Sequence, residues 1–162
     1  MQHAKTFACA DGRIQGYASL FGVADGAGDV VAPGAFRASL ARRPASGVRM
    51  LFQHDPAQPV GVWDDIREDA RGLYVRGRLT EGAAKSDDLR ALLADGAIDG
   101  LSIGFRAVKS RRDAVGRRTL TEIDLWEVSI VTFPMLAAAR IAARPALAVA
   151  GKSAPRAHSI RP

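Results

Sequence analysis

Two neighbouring segments of the chain alternate apolar and polar residues as the arms of a β-hairpin do. The segments "PVGVWDDIRED" and "GLYVRGRL" both show this alternation, and the stretch "EDARG" between them has the composition of a tight turn. Successive side chains of a strand point to opposite faces, so each arm can bury one face and expose the other. The middle of the chain is therefore predicted to form two antiparallel strands of a sheet.

Further strands and helices are predicted on both sides of this hairpin. Before it, "GRIQGYASLFGV" is a predicted strand, "PGAFRASLARR" a helix opened by Pro33, and "VRMLFQHD" a short strand. After it, leucines at helical spacing predict a helix over residues 81–95, which Gly96 would end.

The segment from Gly100 to Phe133 is predicted to hold three strands. Its two breaks are a turn in "SRRDAVGRR" and a bend near Glu122–Asp124. Short strands with turn signals at such regular intervals favour a barrel or a sandwich, here with helices inserted. The fold class expected from the sequence is a β-rich α+β domain.

The positive charge of the chain is concentrated at one end. The net charge is +6, and five of the 23 basic residues lie from Arg140 onward, where there is no acidic residue. Residues 1–139 contain the other 18 basic residues and all 17 acidic residues, so their charges nearly balance. The end segment "RIAARPALAVAGKSAPRAHSIRP" has no aromatic residue to stack on bases, so nucleic-acid binding is not favoured. We predict a domain over 1–139 and a flexible basic tail over 140–162.

Several classes of protein are disfavoured by what the sequence lacks. It has no apolar run of the roughly 20 residues that a membrane span needs, and its first residues do not have the pattern of a signal peptide. The single cysteine, Cys9, excludes an internal disulfide and a cysteine-based zinc site. The histidines, His3, His54 and His158, are too scattered for a metal cluster. We expect a cytoplasmic protein with neither metal nor cofactor.

Three polar residues lie in segments that otherwise have the composition of core strands. His54 ends "RMLFQH", Ser102 lies in "GLSIGF", and Glu127 lies in "LWEVSIV". A buried carboxylate is costly without a partner, and a histidine can provide one. A serine hydroxyl becomes a useful nucleophile only beside a base, usually a histidine that a third group orients.

Residue types alone leave other interpretations open. A histidine at the end of a strand is often a capping or surface residue, and a serine in a strand is usually structural. Ser129 is a rival nucleophile on the same face as Glu127, two residues further along the strand, and Asp55 is a rival orienting acid.

A set of motifs in a fixed order resembles one known family. The segments "GYASLFGVADGAGDVVAPGAF", "MLFQHDPAQPVGVW", "GLYVRGRL", "LRALLADGAIDGLSIGFRAV" and "LTEIDLWEVSIVTFPM" resemble the prohead maturation proteases of tailed phages and of phage-derived gene-transfer particles. The resemblance runs from about Gly16 to about Met135. It implies a fold similar to the herpesvirus assembly protease, a β-barrel surrounded by a few helices.

The resemblance also implies a role for each candidate residue. Ser102 would be the nucleophile and His54 the general base, while Glu127 would orient His54 where the herpesvirus enzymes use a second histidine. Backbone N–H groups near Met135 and Leu136 would form the oxyanion hole, although "MLAAAR" replaces the polar segment that often follows "FP" in the family. Gly104, on the same face as Ser102, would leave room for the substrate backbone.

The implied activity is that of a serine endopeptidase in head maturation. Its substrate would be the scaffolding segment of the major capsid protein, inside an immature capsid in the host cytoplasm. Self-cleavage is implied as well, self-association is possible within the family's fold, and neither a membrane nor a cofactor is implied. The alternative is an inactive capsid- or scaffold-binding barrel of the same fold.

Overall fold

One curled sheet of seven strands forms most of the protein, whose structure is a computed structural model that describes residues 11–142. Two short helices and one 3₁₀ turn, Ala45–Gly47, accompany the sheet. The strands are β1 Arg13–Leu20, β2 Val30–Val31, β3 Arg49–Phe52, β4 Asp55–Glu68, β5 Gly72–Leu79, β6 Gly100–Arg112 and β7 Arg118–Val131, and the helices are α1 Arg37–Arg42 and α2 Ala84–Asp95.

The long strand β7 organises the sheet. The strand order is β1-β5-β4-β3-β7-β2, and β6 pairs with β7 along almost its whole length. On its other edge, β7 pairs in parallel with β2 near its start and with β3 near its end, whereas all other pairs are antiparallel. The end of β7 therefore lies between β3 and β6, two strands that are far apart in sequence.

Residues 140–142 connect the two ends of the curled sheet. Arg140 bridges to Gly100 at the start of β6, and Ile141 bridges to Gly16 in β1. The approach is close, because a Cβ at Gly16 would overlap the carbonyl oxygen of Arg140 and lie 3.0 Å from the Cα of Ile141. The predicted β-rich α+β fold with a barrel-like sheet is confirmed.

The predicted boundary between domain and tail fell after residue 139. Residues 140–142 lie in the fold, and Ile141 is buried there. The remainder of the predicted tail, residues 143–162, lies outside the described residues, as do residues 1–10.

The apolar core is one cluster of buried side chains from the strands, helix α2 and the segments between them. The predicted alternation holds in β5, where Leu73, Val75 and Leu79 are buried. In β4 the register shifts between Trp63 and Asp65, so the pattern there is not a strict alternation. The largest fully buried side chains come from most elements of the fold: Trp63, Phe36, Met50, Leu73, Leu89, Leu93, Leu101, Leu120, Ile123, Leu125, Ile130 and Val60.

The helices agree only partly with the sequence prediction. Helix α2 ends as expected at Gly96, which adopts the left-handed conformation with φ 74°. Helix α1 begins at Arg37 rather than at Pro33, because the preceding residues form turns that include Gly34 at φ 86°.

The prediction of three strands after Gly100 was wrong. Strands β6 and β7 form one long hairpin, whose turn lies between Asp113 and Arg117. No break occurs near Glu122–Asp124, because shifts in the register between β6 and β7 absorb the irregularity while β7 continues.

Within residues 11–142, no helix is both long enough and apolar enough to cross a membrane.

Candidate active site

The paired strands β6 and β7 bring two of the three predicted residues onto one face. Ser102 lies opposite Ser129, and Gly104 lies opposite Glu127. Residues opposite each other in a sheet share a face, so all four point to the same side. The third predicted residue, His54, follows β3, which runs beside the end of β7.

His54 lies in an unusual two-residue turn between β3 and β4. Phe52 pairs with Asp55, and both residues between them have positive φ, 54° at Gln53 and 59° at His54. Positive φ at both central residues is the requirement of a type I′ hairpin turn, which normally uses Asn and Gly. Left-handed backbone costs a non-glycine residue about 1–2 kcal/mol, so this turn must be held by its surroundings.

Strand β7 and the residue that follows it, Thr132, hold the turn in place. The N–H of Gln53 donates to the carbonyl oxygen of Ile130 at 3.0 Å. The side-chain amide of Gln53 donates to Thr132 Oγ1 at 2.6 Å and accepts the Thr132 N–H at 3.2 Å. Sequence reasoning missed the pair of Gln53 and Thr132, since nothing in a pattern of periodicity links two exposed polar residues so distant in the chain.

The imidazole of His54 is hydrogen-bonded to Glu127. His54 Nδ1 lies 2.5 Å from Glu127 Oε1. This hydrogen bond raises the pKa of His54, partial burial opposes the rise, and the negative charge of Glu127 adds to it. The side chain of Glu127 is mostly buried, so the imidazole supplies the partner that its carboxylate was predicted to need.

Ser129 links the backbone of His54 to the carboxylate of Glu127. Its hydroxyl donates to Glu127 Oε2 at 2.7 Å and accepts the N–H of His54 at 3.1 Å. Ser129 is completely buried, and both of these bonds engage its oxygen. This arrangement suits a structural link better than the rival nucleophile that the sequence left open.

The rival acid Asp55 is engaged elsewhere. Its Oδ1 accepts the N–H of Ala57 at 2.9 Å, at the start of β4. Of the two acids considered from the sequence, Glu127 is therefore the one bonded to His54.

Gly104 leaves room for the acid rather than for a substrate. A Cβ at position 104 would overlap Oε1 of Glu127 and would lie 2.7 Å from its Cγ. The small residue was expected to accommodate a substrate backbone, but the space above it is occupied by the carboxylate that contacts His54.

Ser102 is buried beside His54 without being bonded to it. The residue is 6% exposed, and its hydroxyl has no hydrogen-bond partner among residues 11–142. Ser102 and His54 line the same cavity, of about 240 Å³.

Met135 and Leu136 line this cavity too. The carbonyl oxygen of Met135 accepts the N–H of Gly26 at 2.8 Å, and that of Leu136 accepts the N–H of Ala139 at 2.9 Å. Neither Met135 nor Leu136 donates its own N–H to an acceptor in the described part of the chain, so both N–H groups are available as donors.

No metal centre is formed by the described residues. Across residues 11–142 there is no group of three or more histidine, cysteine or acidic side chains that could hold a metal ion. Cys9, His3 and His158 lie outside this range.

Solved structures give a likeness at the level of the fold. The capsid assembly protease of bacteriophage T4 is 19% identical and has a TM-score of 0.62, over 75% of this chain and 82% of that chain. The KSHV protease, solved in complex with a hexapeptide phosphonate inhibitor, is 11% identical with a TM-score of 0.47, over 76% of this chain and 60% of that chain.

The sequence comparisons are more specific. The prohead protease of Enterobacteria phage HK97 is 42% identical over 135 residues, which are 82% of this chain and 60% of that protein. The chain thus spans 60% of the length of this relative. The profile of the caudovirus prohead serine protease family matches residues 2–151. The chain belongs to the caudovirus prohead serine protease family.

Proposed function

We propose that this chain is a serine endopeptidase of capsid maturation that removes the scaffolding segment of the major capsid protein inside an immature capsid. Membership of the prohead protease family supports the reaction class and the substrate. The observation that carries the catalytic assignment is the 2.5 Å contact of His54 Nδ1 with Glu127 Oε1, on the wall of the cavity that also contains Ser102.

The first half of the reaction forms an acyl-enzyme. The hydroxyl oxygen of Ser102 attacks the peptide carbonyl carbon while Nε2 of His54 takes the hydroxyl proton. The tetrahedral intermediate collapses, the carbon–nitrogen bond breaks, and His54 gives its proton to the leaving amine. The new bond joins Ser102 Oγ to the acyl carbon.

Water completes the cycle. His54, neutral again, takes a proton from a water molecule as the water attacks the acyl carbon. The acyl–oxygen bond then breaks, and Ser102 recovers its proton from His54 while the new carboxyl end departs.

Glu127 acts on His54 throughout. Its carboxylate accepts a hydrogen bond from the Nδ1–H of His54, which fixes the tautomer that leaves Nε2 free to act as the base. Because the same bond raises the pKa of His54, it also stabilises the imidazolium formed when Ser102 is deprotonated.

Backbone donors near Met135 and Leu136 would stabilise the oxyanion. Both residues line the cavity with Ser102, and both N–H groups lack an acceptor within residues 11–142. Preorganised donors of this kind act where charge develops in the transition state. The same chemistry applied to the chain itself would account for self-cleavage, and capsid protein, scaffolding segment and a second copy of the chain are the partners we propose.

An inactive binding protein of the same fold is the weaker alternative. A protein that only bound the scaffold would have no need for a serine, a histidine and an acid in this arrangement. In particular, it would not need the left-handed turn that presents His54 to Glu127.

The test is co-expression of the full chain with its capsid protein, followed by intact-mass measurement of both. Ser102→Ala should leave both proteins uncut and the fold intact by thermal melting. Ser110→Ala, at an exposed serine on the same strand, is the matched control and should cut normally. Cleavage that persists in the Ser102→Ala protein would refute the assignment of the nucleophile.

A further inference from the structure

The cavity beside Ser102 and His54 has an apolar wall. Its apolar side chains come from β1, β2, β6, β7 and the segments that follow β1 and β7, and they include Leu20, Val23, Val31, Ile103, Phe105 and Met135. Its volume of about 240 Å³ exceeds the roughly 150 Å³ of an apolar protein cavity that binds benzene. A leucine, methionine or phenylalanine side chain has four to seven heavy atoms and fits within this space.

The two acids at the edge of the cavity are already engaged. Asp25 Oδ1 accepts the backbone N–H groups of Ala27 and Asp29, each at 2.9 Å. The carboxylate of Asp29 is paired with Arg118, which lowers the pKa of Asp29. Both carboxylates are therefore already bonded to groups of the protein. The other polar side chains that line the cavity are Ser19, His54 and Ser102.

The cavity is open to solvent at the catalytic end. The side chain of His54 is 43% exposed, and the residues Val23 and Met135 are 43% and 56% exposed. A polypeptide lying across the surface could therefore insert a side chain while its backbone stayed at Ser102.

We propose that this cavity binds an apolar side chain of the cleaved polypeptide, within three residues of the cut bond, and thereby selects the cleavage site. This inference rests on the proposed function, since it takes Ser102 as the nucleophile. An extended chain advances about 3.3 Å per residue, so three residues reach about 10 Å to either side of the bond under attack. Burial of an apolar side chain supplies the binding free energy, and a charged side chain would lose its hydration without gaining a partner.

The first experiment changes the substrate. The cut bond in the co-expressed capsid protein is located by intact mass, and each apolar residue within three positions is replaced in turn by Asp. We expect one of these replacements to reduce cleavage by about ten-fold or more, while Ala in place of polar neighbours has little effect. Undiminished cleavage in every Asp variant would overturn the inference.

The second experiment changes the cavity. Val23→Lys places a cation at its mouth, and Val62→Lys, at a valine on β4 with the same 43% exposure, is the matched control. Val23→Lys should cut the natural substrate about ten-fold or more slowly and should regain activity on the Asp-substituted substrate, by charge complementarity. Val62→Lys should cut both substrates as the unmodified chain does.

Met135→Lys is a second cavity variant with the same expectation, in case Val23→Lys does not fold. If both lysine variants fold and cut the natural substrate at the normal rate, the cavity does not hold a substrate side chain. The Ser102→Ala variant separates the two proposals. If cleavage is independent of Ser102, both the proposed function and this inference are wrong. If cleavage needs Ser102 but tolerates every Asp and Lys change, only the inference on the cavity is wrong.

Discussion

The carboxylate of Glu127 lies across Gly104, in the space that a side chain at position 104 would fill. The two residues are opposite each other in the β6–β7 pair, so the glycine lets the acid cross from its own strand towards His54. In our proposal, the smallest residue of "GLSIGF" thus helps to orient the general base His54 through the side chain of Glu127.

Gly104→Ala should impair catalysis without unfolding the protein. The added Cβ displaces the carboxylate of Glu127 from Nδ1 of His54, and a misplacement of about 1 Å in a catalytic group can lower the rate by about 10²-fold. We expect Gly104→Ala to lower kcat and to change KM little. Both constants are obtained from the rate of capsid-protein cleavage at several concentrations of the capsid protein.

A double-mutant cycle provides the control for this effect. Once Glu127→Gln has removed the charged partner of His54, Gly104→Ala should cost little more activity, because the two changes act on one contact. Additive losses would show that Gly104 acts by a route independent of Glu127.

Glu127→Gln should slow cleavage strongly and shift its pH dependence. The base works only when His54 is neutral, and the hydrogen bond to Glu127 raises the pKa of His54. Without the carboxylate that pKa falls, so the acid limb of the plot of kcat/KM against pH should move to lower pH. The maximal rate should fall by about 10²–10⁴-fold, because the tautomer and orientation of His54 are no longer held. An unmoved acid limb would mean that another group sets the pKa of the base.

The same contact predicts how stability depends on pH. A histidine with a pKa raised by folding stabilises the folded state fully below its unfolded pKa of about 6.5, and this contribution is lost as the pH rises through the folded pKa. The difference in free energy of unfolding between the unmodified chain and Glu127→Gln should therefore be larger at about pH 5.5 than at about pH 9. Urea titrations at the two pH values measure it, and an equal difference at both would contradict the prediction.

Ser129→Ala should lower both stability and rate, but it should not abolish cleavage. The partly buried N–H of His54 loses its acceptor and Glu127 Oε2 loses its donor, at a cost of about 1–3 kcal/mol in the free energy of unfolding. An active-site phosphonate should still label Ser102 in this variant, as peptide mass mapping would detect. If the phosphonate labelled Ser129 in the unmodified chain, Ser129 rather than Ser102 would be the nucleophile.

The segment that closes the sheet should determine how far the chain can be shortened. A chain ending at Ala142 should unfold at nearly the same urea concentration as the full chain, whereas one ending at Ala139 should be less stable. The shorter chain loses buried Ile141, and burial of such a side chain contributes about 1.5–3 kcal/mol. Gly16→Ala should weaken the full chain in the same direction, because its Cβ would overlap the carbonyl oxygen of Arg140. If the two truncated chains were equally stable, the folded domain would end at residue 139.

Much of the fold could be predicted because its signals are local. The turn between β4 and β5 and the left-handed Gly96 after α2 follow from residue types within a few positions of each other. The continuity of β7 could not be predicted in this way. Residues 122–124 look like a bend in isolation, and only their pairing with β6 keeps them in the strand.

The candidate site divides along the same line. His54, Ser102 and Glu127 could be chosen from polar residues in apolar segments and from the family's motifs. The role of Gly104 depends on register, because pairing places it opposite Glu127. The role of Ser129 depends on the pairing of β3 with β7, which brings the N–H of His54 to its hydroxyl. The contact of Gln53 with Thr132 joins the residue after β3 to the residue after β7, 79 positions apart in the sequence, and neither residue carries a local signal.

The left-handed turn at Gln53 and His54 bears on when the protein can begin to act. Two non-glycine residues at positive φ would relax in a free hairpin. Ile130 and Ser129 of β7, together with Thr132 just after it, keep them in that conformation. Strand β7 begins more than sixty residues after the turn. During synthesis, Ser102 is therefore made before the strand that holds His54 in its orientation. In our proposal, protease activity therefore requires the completed sheet. Incomplete chains would not cleave the proteins around them.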